Sequence, residues 1–121
     1  MPHMEYGFRG HPNMNFSLSM KSLFLLHNET MSIYSHLFAT FYFVFLLLQD
    51  LTKSGPFSQL VTTESHMIMQ FALVSSSFSM LTSTAYHTFC SCSQHAHDRF
   101  LQLDLIGIAV FMLGVAMACM Y

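Results

Sequence analysis

Apolar residues fall into three long runs, and the ionised side chains stand between them. No Asp, Glu, Lys or Arg occurs among residues 30–49, between Glu29 and Asp50. None occurs among residues 65–97, between Glu64 and Asp98, and none follows Asp104. A helix needs about 20 mostly apolar residues to cross the hydrocarbon of a bilayer. The pattern therefore predicts an all-α membrane protein with three transmembrane helices, over about 30–49, 66–91 and 102–121. Residues 1–29 are then an N-terminal tail and 30–121 the transmembrane region. Pro2 and Pro12 oppose a long regular element in the tail, and the tract Lys53-Ser54-Gly55-Pro56 is a turn signal that closes the first span. The first 22 residues hold no continuous apolar core of the kind a signal peptide needs. No internal repeat is visible.

Composition agrees with this class. Hydrophobic residues make up 53% of the chain and charged residues 8%, with a mean hydropathy of +0.45. Soluble domains are about 25% charged. Only four residues are Lys or Arg and the formal net charge is −2, so no nucleic-acid partner is expected. The basic residues also orient the chain. With three alternating spans, Arg9, Lys21 and Arg99 share one side and Lys53 stands alone on the other, which makes the N-terminus cytoplasmic. The expected location is a multi-pass position in the plasma membrane or an internal membrane. The sequons Asn15-Phe16-Ser17 and Asn28-Glu29-Thr30 would then escape glycosylation.

The same alternation gathers the polar groups. His87 is placed about 4–6 residues before the cytoplasmic end of the second span, and Asp104 a few residues into the third. Ser83 precedes His87 by four residues, so it shares that helical face one turn deeper. The tract His27-Asn28-Glu29 sits at the mouth of the first span. Such a layer suits a metal or hydrolytic site, since ionisable groups in a membrane interior need a partner or a function. Simpler roles exist for each residue. His87 can bond a backbone carbonyl, Asp104 and Glu29 can complement helix N-termini, and the serines and threonines between 75 and 84 can serve close helix packing. His36 reads as an interhelical donor, His66 as an interfacial residue near the outer side, and His3 and His11 as solvated tail residues. The Met and Phe residues read as lipid-facing or packing groups, and Cys119 as a buried residue of the third span. Cys90, Cys92, His95 and His97 in CSCSQHAH offer a second candidate metal set, because thiolates and imidazoles bind zinc or copper, although their spacing is unlike structural zinc modules. As juxtamembrane cysteines they are also candidates for S-palmitoylation, and a cytoplasmic face would keep them reduced.

Two tracts carry a resemblance. SLFLLHNETMSIYSHL (22–37), preceded by YGFRG (6–10), and STAYH (83–87), followed by LDLIGI (103–108), resemble the signatures of the progestin and adipoQ receptor family, which is related to hemolysin III-type membrane proteins. The resemblance runs from Tyr6 onward. It implies a bundle of seven membrane helices, of which these would be the first three, with a cytoplasmic N-terminus and a zinc ion near the cytoplasmic side. In the family the residue matching His87 is a zinc ligand, that matching Asp104 acts on the water, and that matching Ser83 lies beside the site. Two further ligands come from an H-x-x-x-H motif in the seventh span, which these 121 residues do not contain, so the zinc site is expected to be incomplete in this chain and the chain alone inactive. The implied chemistry is zinc-dependent hydrolysis of a lipid amide of the ceramide type by the full-length protein. Family members also act as receptors for adiponectin or progestins. Expected partners are therefore membrane lipid, a lipid, steroid or adiponectin-like ligand, and a homo- or hetero-oligomer. The alternative is a truncated, non-catalytic membrane protein acting through helix association.

Overall fold

The computed structural model of the chain describes residues 15–54 and 62–121. Its regular elements are helices: α1 (Phe16–Ser22), α2 (Thr30–Leu51), α3 (Thr63–Phe89) and α4 (Gln94–Met120). The YGFRG tract, His3, His11 and the Gly55-Pro56 half of the turn lie outside the described residues.

Local chemistry sets the boundaries. α2 ends two residues past its expected limit in a C-terminal motif that recovers its last carbonyls. Lys53 N–H donates to Asp50 O at 2.9 Å and Ser54 N–H to Gln49 O at 3.0 Å. Lys53 takes the left-handed conformation there, at φ 55°, which costs a residue other than glycine roughly 1–2 kcal/mol. α3 starts three residues earlier than hydropathy indicates, because Thr62 Oγ1 accepts the Ser65 N–H at 3.1 Å. It stops two residues earlier, at Phe89. α4 starts at Gln94, not near 102: Ser93 Oγ accepts the Ala96 N–H at 3.0 Å and caps two polar turns that no apolar pattern marks. The tail was expected to lack a long regular element, and it does form one short helix. α1 is capped by Asn15, whose Oδ1 accepts the Leu18 N–H at 2.9 Å.

α3 packs against both α2 and α4, and α1 touches α3. The α3–α4 seam is built on two glycines. A Cβ on Gly107 would stand 3.1 Å from Ser79 Cα, and one on Gly114 would stand 3.2 Å from Ala72 Cα. Side chains are sorted inside out. Ser75, Ser76, Ser79, Thr82 and Ser83 are buried, whereas Phe38, Phe41, Phe45, Ile106 and Met112 are exposed. Cys119, expected to be buried, is exposed as well, because Gly114 and not the Cys119 position faces α3.

Among the described residues, two helices, α2 and α4, are long and apolar enough to cross a membrane. α3 is as long as α4, but the hydroxyls along Ser75–Thr84 lower its apolarity. Five of those hydroxyls bond within their own helix: Ser75 and Ser76 donate to Ala72 O, Ser77 to Leu73 O, Thr82 to Ser79 O and Thr84 to Met80 O. At one end of the α2–α3 pair, the side chain of Asp50 is fully buried. Gln70 Nε2 donates to its Oδ2 at 2.9 Å, and His66 Nδ1 lies 3.3 Å from Oδ1. Gln70 therefore ties the two helices together, and His66 lies beside the same carboxylate near a helix end.

Candidate functional site

At the opposite end, the segment before α2 is folded on itself and fixes Glu29. Tyr34 Oη donates to Leu23 O at 2.6 Å, and Thr30 Oγ1 donates to Leu25 O at 3.1 Å while accepting from His27 N–H at 2.8 Å. The Glu29 N–H donates to His27 Nδ1 at 3.1 Å, which leaves the other ring nitrogen of His27 to donate to Ser22 O at 3.1 Å. Glu29 occupies the N-cap position of α2 but makes no side-chain cap. Its carboxylate bonds elsewhere. Oε2 meets His87 Nδ1 at 2.7 Å, across 58 residues of sequence, and Oε1 accepts from Asn28 Nδ2 at 3.1 Å.

His87 lies in the last turn of α3, closer to the helix end than the expected 4–6 residues. Its ring also packs on His36 of α2, with centroids 5.4 Å apart and planes at 58°. His36 is thus a ring neighbour of His87; the expected interhelical donation is not made through Nδ1, which is buried and has no hydrogen-bond partner among the described residues.

Asp104 reaches the same layer through the register of the seam. Gly107 lies over Ser79 and Thr82, and Gly114 over Ala72 and Ser75, seven residues apart on each helix. Three residues before Gly107, Asp104 stands level with the turn that follows Thr82 on antiparallel α3. It is within electrostatic reach of His36. Its carboxylate is buried, with Oδ1 lacking a hydrogen-bond partner among the described residues. Ser83 is buried on α3, one turn from His87. Of the residues singled out from sequence, His87 is linked to Glu29 and His36, His36 is within electrostatic reach of Asp104, and Ser83 lies one turn away from His87.

The CSCSQHAH residues are not brought together in this way. Cys92 Sγ lies 2.9 Å from Ser19 Oγ of α1, His97 Nε2 lies 3.3 Å from Tyr86 Oη, and His95 is exposed on the first turn of α4. Both histidines belong to a helix and not to a loop. Among the described residues, no three His, Cys, Asp or Glu side chains form a metal-holding group. The polar layer nonetheless fits one corner of a zinc site. An imidazole held at one nitrogen by a carboxylate is the usual arrangement of a ligating histidine, and a buried carboxylate oxygen without a partner among the described residues suits a metal-associated water.

Apolar side chains outward, hydroxyls inward and helices of spanning length define an integral membrane protein of helical build. The chain belongs to the haemolysin-III-related family, whose profile matches residues 24–121. It is 36% identical over 114 residues to progestin and adipoQ receptor family member 3 from Homo sapiens, covering 93% of this chain and 36% of that one. Membrane progestin receptor alpha from Mus musculus is 30% identical over 121 residues, covering 99% of this chain and 33% of that one. The ADIPOR-like receptor IZH2 of Saccharomyces cerevisiae is 29% identical over 107 residues, covering 88% and 33%. The chain therefore spans about a third of the length of the relatives it matches. The family found is the one its two signature tracts resemble.

Proposed function

We propose that the chain is the first three-span portion of a seven-span receptor-like membrane protein whose polar layer holds zinc and hydrolyses a lipid amide of the ceramide type. The observation that carries this reading is a carboxylate-held His87 packed on His36, with His36 within electrostatic reach of the buried Asp104, whose Oδ1 has no hydrogen-bond partner among the described residues. His87 is the metal ligand, and two more come from an H-x-x-x-H tract beyond these residues. Zinc with three protein ligands and an open position acts as a Lewis acid and brings the pKa of a bound water to about 7. Asp104 orients the attacking water and takes its proton, and Ser83 hydrogen-bonds the water or the substrate. A layer between helices, open sideways to lipid, suits an acyl amide that never leaves the bilayer. The names of the relatives support a ligand of the progestin or adiponectin kind for the receptor role.

Zinc content tests this directly. Purified residues 1–121 in detergent are expected to retain little zinc, and fusion to a downstream segment bearing H-x-x-x-H is expected to bring zinc to about one per chain. His87→Ala should then remove it. If residues 1–121 alone bind one zinc, lost on replacing Cys90 and Cys92 by Ser but kept in His87→Ala, the assignment fails. A fusion that binds no zinc would favour the non-catalytic reading, a membrane protein acting through helix association.

The orientation proposed with this function puts the N-terminus in the cytoplasm. Lys21 in α1 and Arg99 in the first turns of α4 lie at one end of the helices, tied by the Ser19–Cys92 contact and the 5.1 Å packing of Phe16 on Phe89, while Lys53 lies at the other. Glycosylation acceptors engineered into residues 52–64 should be modified in microsomes and native Asn15 left bare. Glycan on Asn15 would reverse the topology.

A further inference from the structure

The Glu29–His87 contact pairs two residues that the sequence places in one layer without linking them, and its geometry is specific. At 2.7 Å it lies in the range of a charge-assisted hydrogen bond. Each side chain is about three-quarters buried, with relative exposures of 25% and 23%. The carboxylate belongs to a residue whose backbone is fixed from both sides. Its N–H donates to His27 Nδ1, and its C=O accepts the Ile33 N–H at 2.9 Å, next to an Ile33 side chain that is 1% exposed. A strut between α2 and α3 is one consequence. The chemistry of the two groups adds another. An ionised carboxylate only accepts hydrogen bonds, so the nitrogen facing it must carry the proton. A neutral imidazole protonated at Nδ1 has its lone pair on Nε2, the nitrogen able to donate to a metal.

We propose that Glu29 is the positioning residue of His87: it holds the ring through Nδ1 and selects the Nδ1–H tautomer, which leaves the proton off Nε2. The functional meaning rests on the reading of His87 as a metal ligand; the tautomer does not depend on it. Glu29 gives up the capping hydrogen bond of its own helix for this contact, since the N-cap of α2 has no side-chain cap. The approach to α2, with His27, Thr30 and Tyr34 locked to the backbone, is what holds the carboxylate in place. His36, packed against the ring, narrows the orientations left to it.

The test is nitrogen NMR of the histidine rings in residues 1–121, labelled with nitrogen-15, in detergent micelles at pH 8, with His87 assigned by its loss in His87→Ala. The expected spectrum shows His87 protonated at Nδ1 and not at Nε2. Glu29→Ala should move it toward the Nε2–H form that imidazole favours in water, and Glu29→Asp should restore much of the original state. A doubly protonated ring or an Nε2–H tautomer in the unsubstituted chain overturns the proposal, and that spectrum needs no variant to fold. A tautomer unchanged by Glu29→Ala also overturns it, because a purely structural strut would leave the ring's protonation pattern alone.

The second arm uses the H-x-x-x-H fusion. Glu29→Ala is expected to weaken zinc affinity about 10–100-fold, with partial recovery in Glu29→Asp. If His87→Ala leaves zinc bound, the functional reading fails and the tautomer result stands. If His87→Ala loses zinc while Glu29→Ala binds it with undiminished affinity, the positioning role fails.

Discussion

Gly114→Leu is expected to force α3 and α4 apart and to destabilise the fold by about 3 kcal/mol, the upper part of the range for overpacking a close interface. Even the first added carbon would stand 3.2 Å from Ala72 Cα, a backbone atom that cannot rotate away, and against the side chain of Ser75. Ser75 is 1% exposed and its hydroxyl is bonded to Ala72 O, so it has little room to yield. Gly107→Leu meets Ser79 Cα and the Thr82 side chain in the same way, and the double variant should not hold the seam at all. Helix propensity works in the other direction, since glycine costs a helix about 1 kcal/mol relative to alanine. That gain is smaller than the steric loss. Unfolding in mixed micelles, followed by circular dichroism, reads the difference. Ile108→Leu on the exposed side of α4 serves as the control, with an effect within about 0.5 kcal/mol. Equal effects at Gly114 and Ile108 would mean that the glycines do not form the contact.

Asp104→Asn should divide the proposed chemistry from the proposed ligand set. Asparagine has nearly the shape of aspartate and keeps one carbonyl oxygen in the buried position, so packing on α3 is preserved. It cannot take a proton from water. In the zinc-loaded fusion, hydrolysis of a short-chain ceramide-type amide is expected to fall about 100- to 10,000-fold, the usual contribution of a positioned general base. Zinc content should stay near one per chain. Loss of zinc together with activity would make Asp104 a ligand instead of a base, and unchanged turnover would remove it from the chemistry. Substrate in proteoliposomes, with metal analysis of the same sample, gives both readings.

The parts of the fold that were legible in the sequence are those that hydropathy governs. α2 lies within two residues of the uncharged stretch 30–49, because the same absence of charge that defines the stretch lets it be helical and apolar. The early start of α4 was not legible from hydropathy, since Gln94–Arg99 is polar; the signal was Ser93 as an N-cap, in a tract that draws attention for its cysteines and histidines. Asn15 has a similar double reading, as a sequon and as the cap of α1. For the site, His87, Ser83 and Asp104 stood out because ionisable and hydroxyl groups interrupt apolar runs. Their common level was an inference from alternating topology, and the glycine register makes α3 and α4 antiparallel neighbours, as that inference requires. Glu29 was visible only as part of a polar tract at a helix mouth. Nothing periodic links it to a residue 58 positions away, and its partner depends on how the His27–Tyr34 segment folds. The Asp50–His66 pair was hidden for the same reason: each residue marks the end of a helix, and only packing puts the two ends side by side.

The hydroxyls of Ser75 and Thr82, at the glycine contacts, bond to carbonyls of their own helix, as does that of Ser76. The seam with α4 is therefore selected for size and hardly at all for polarity. On α3, serine and alanine are close to interchangeable there, because removing a hydroxyl that bonds only its own backbone leaves no orphan across the interface, whereas on α4 even a methyl at Gly107 or Gly114 crowds α3. Valine or leucine at the same places is excluded. In related sequences the α3 side of this seam should drift among small residues and the two glycines of α4 should not, and the Glu29–His87 contact, which depends on the identity of both partners, should drift very little.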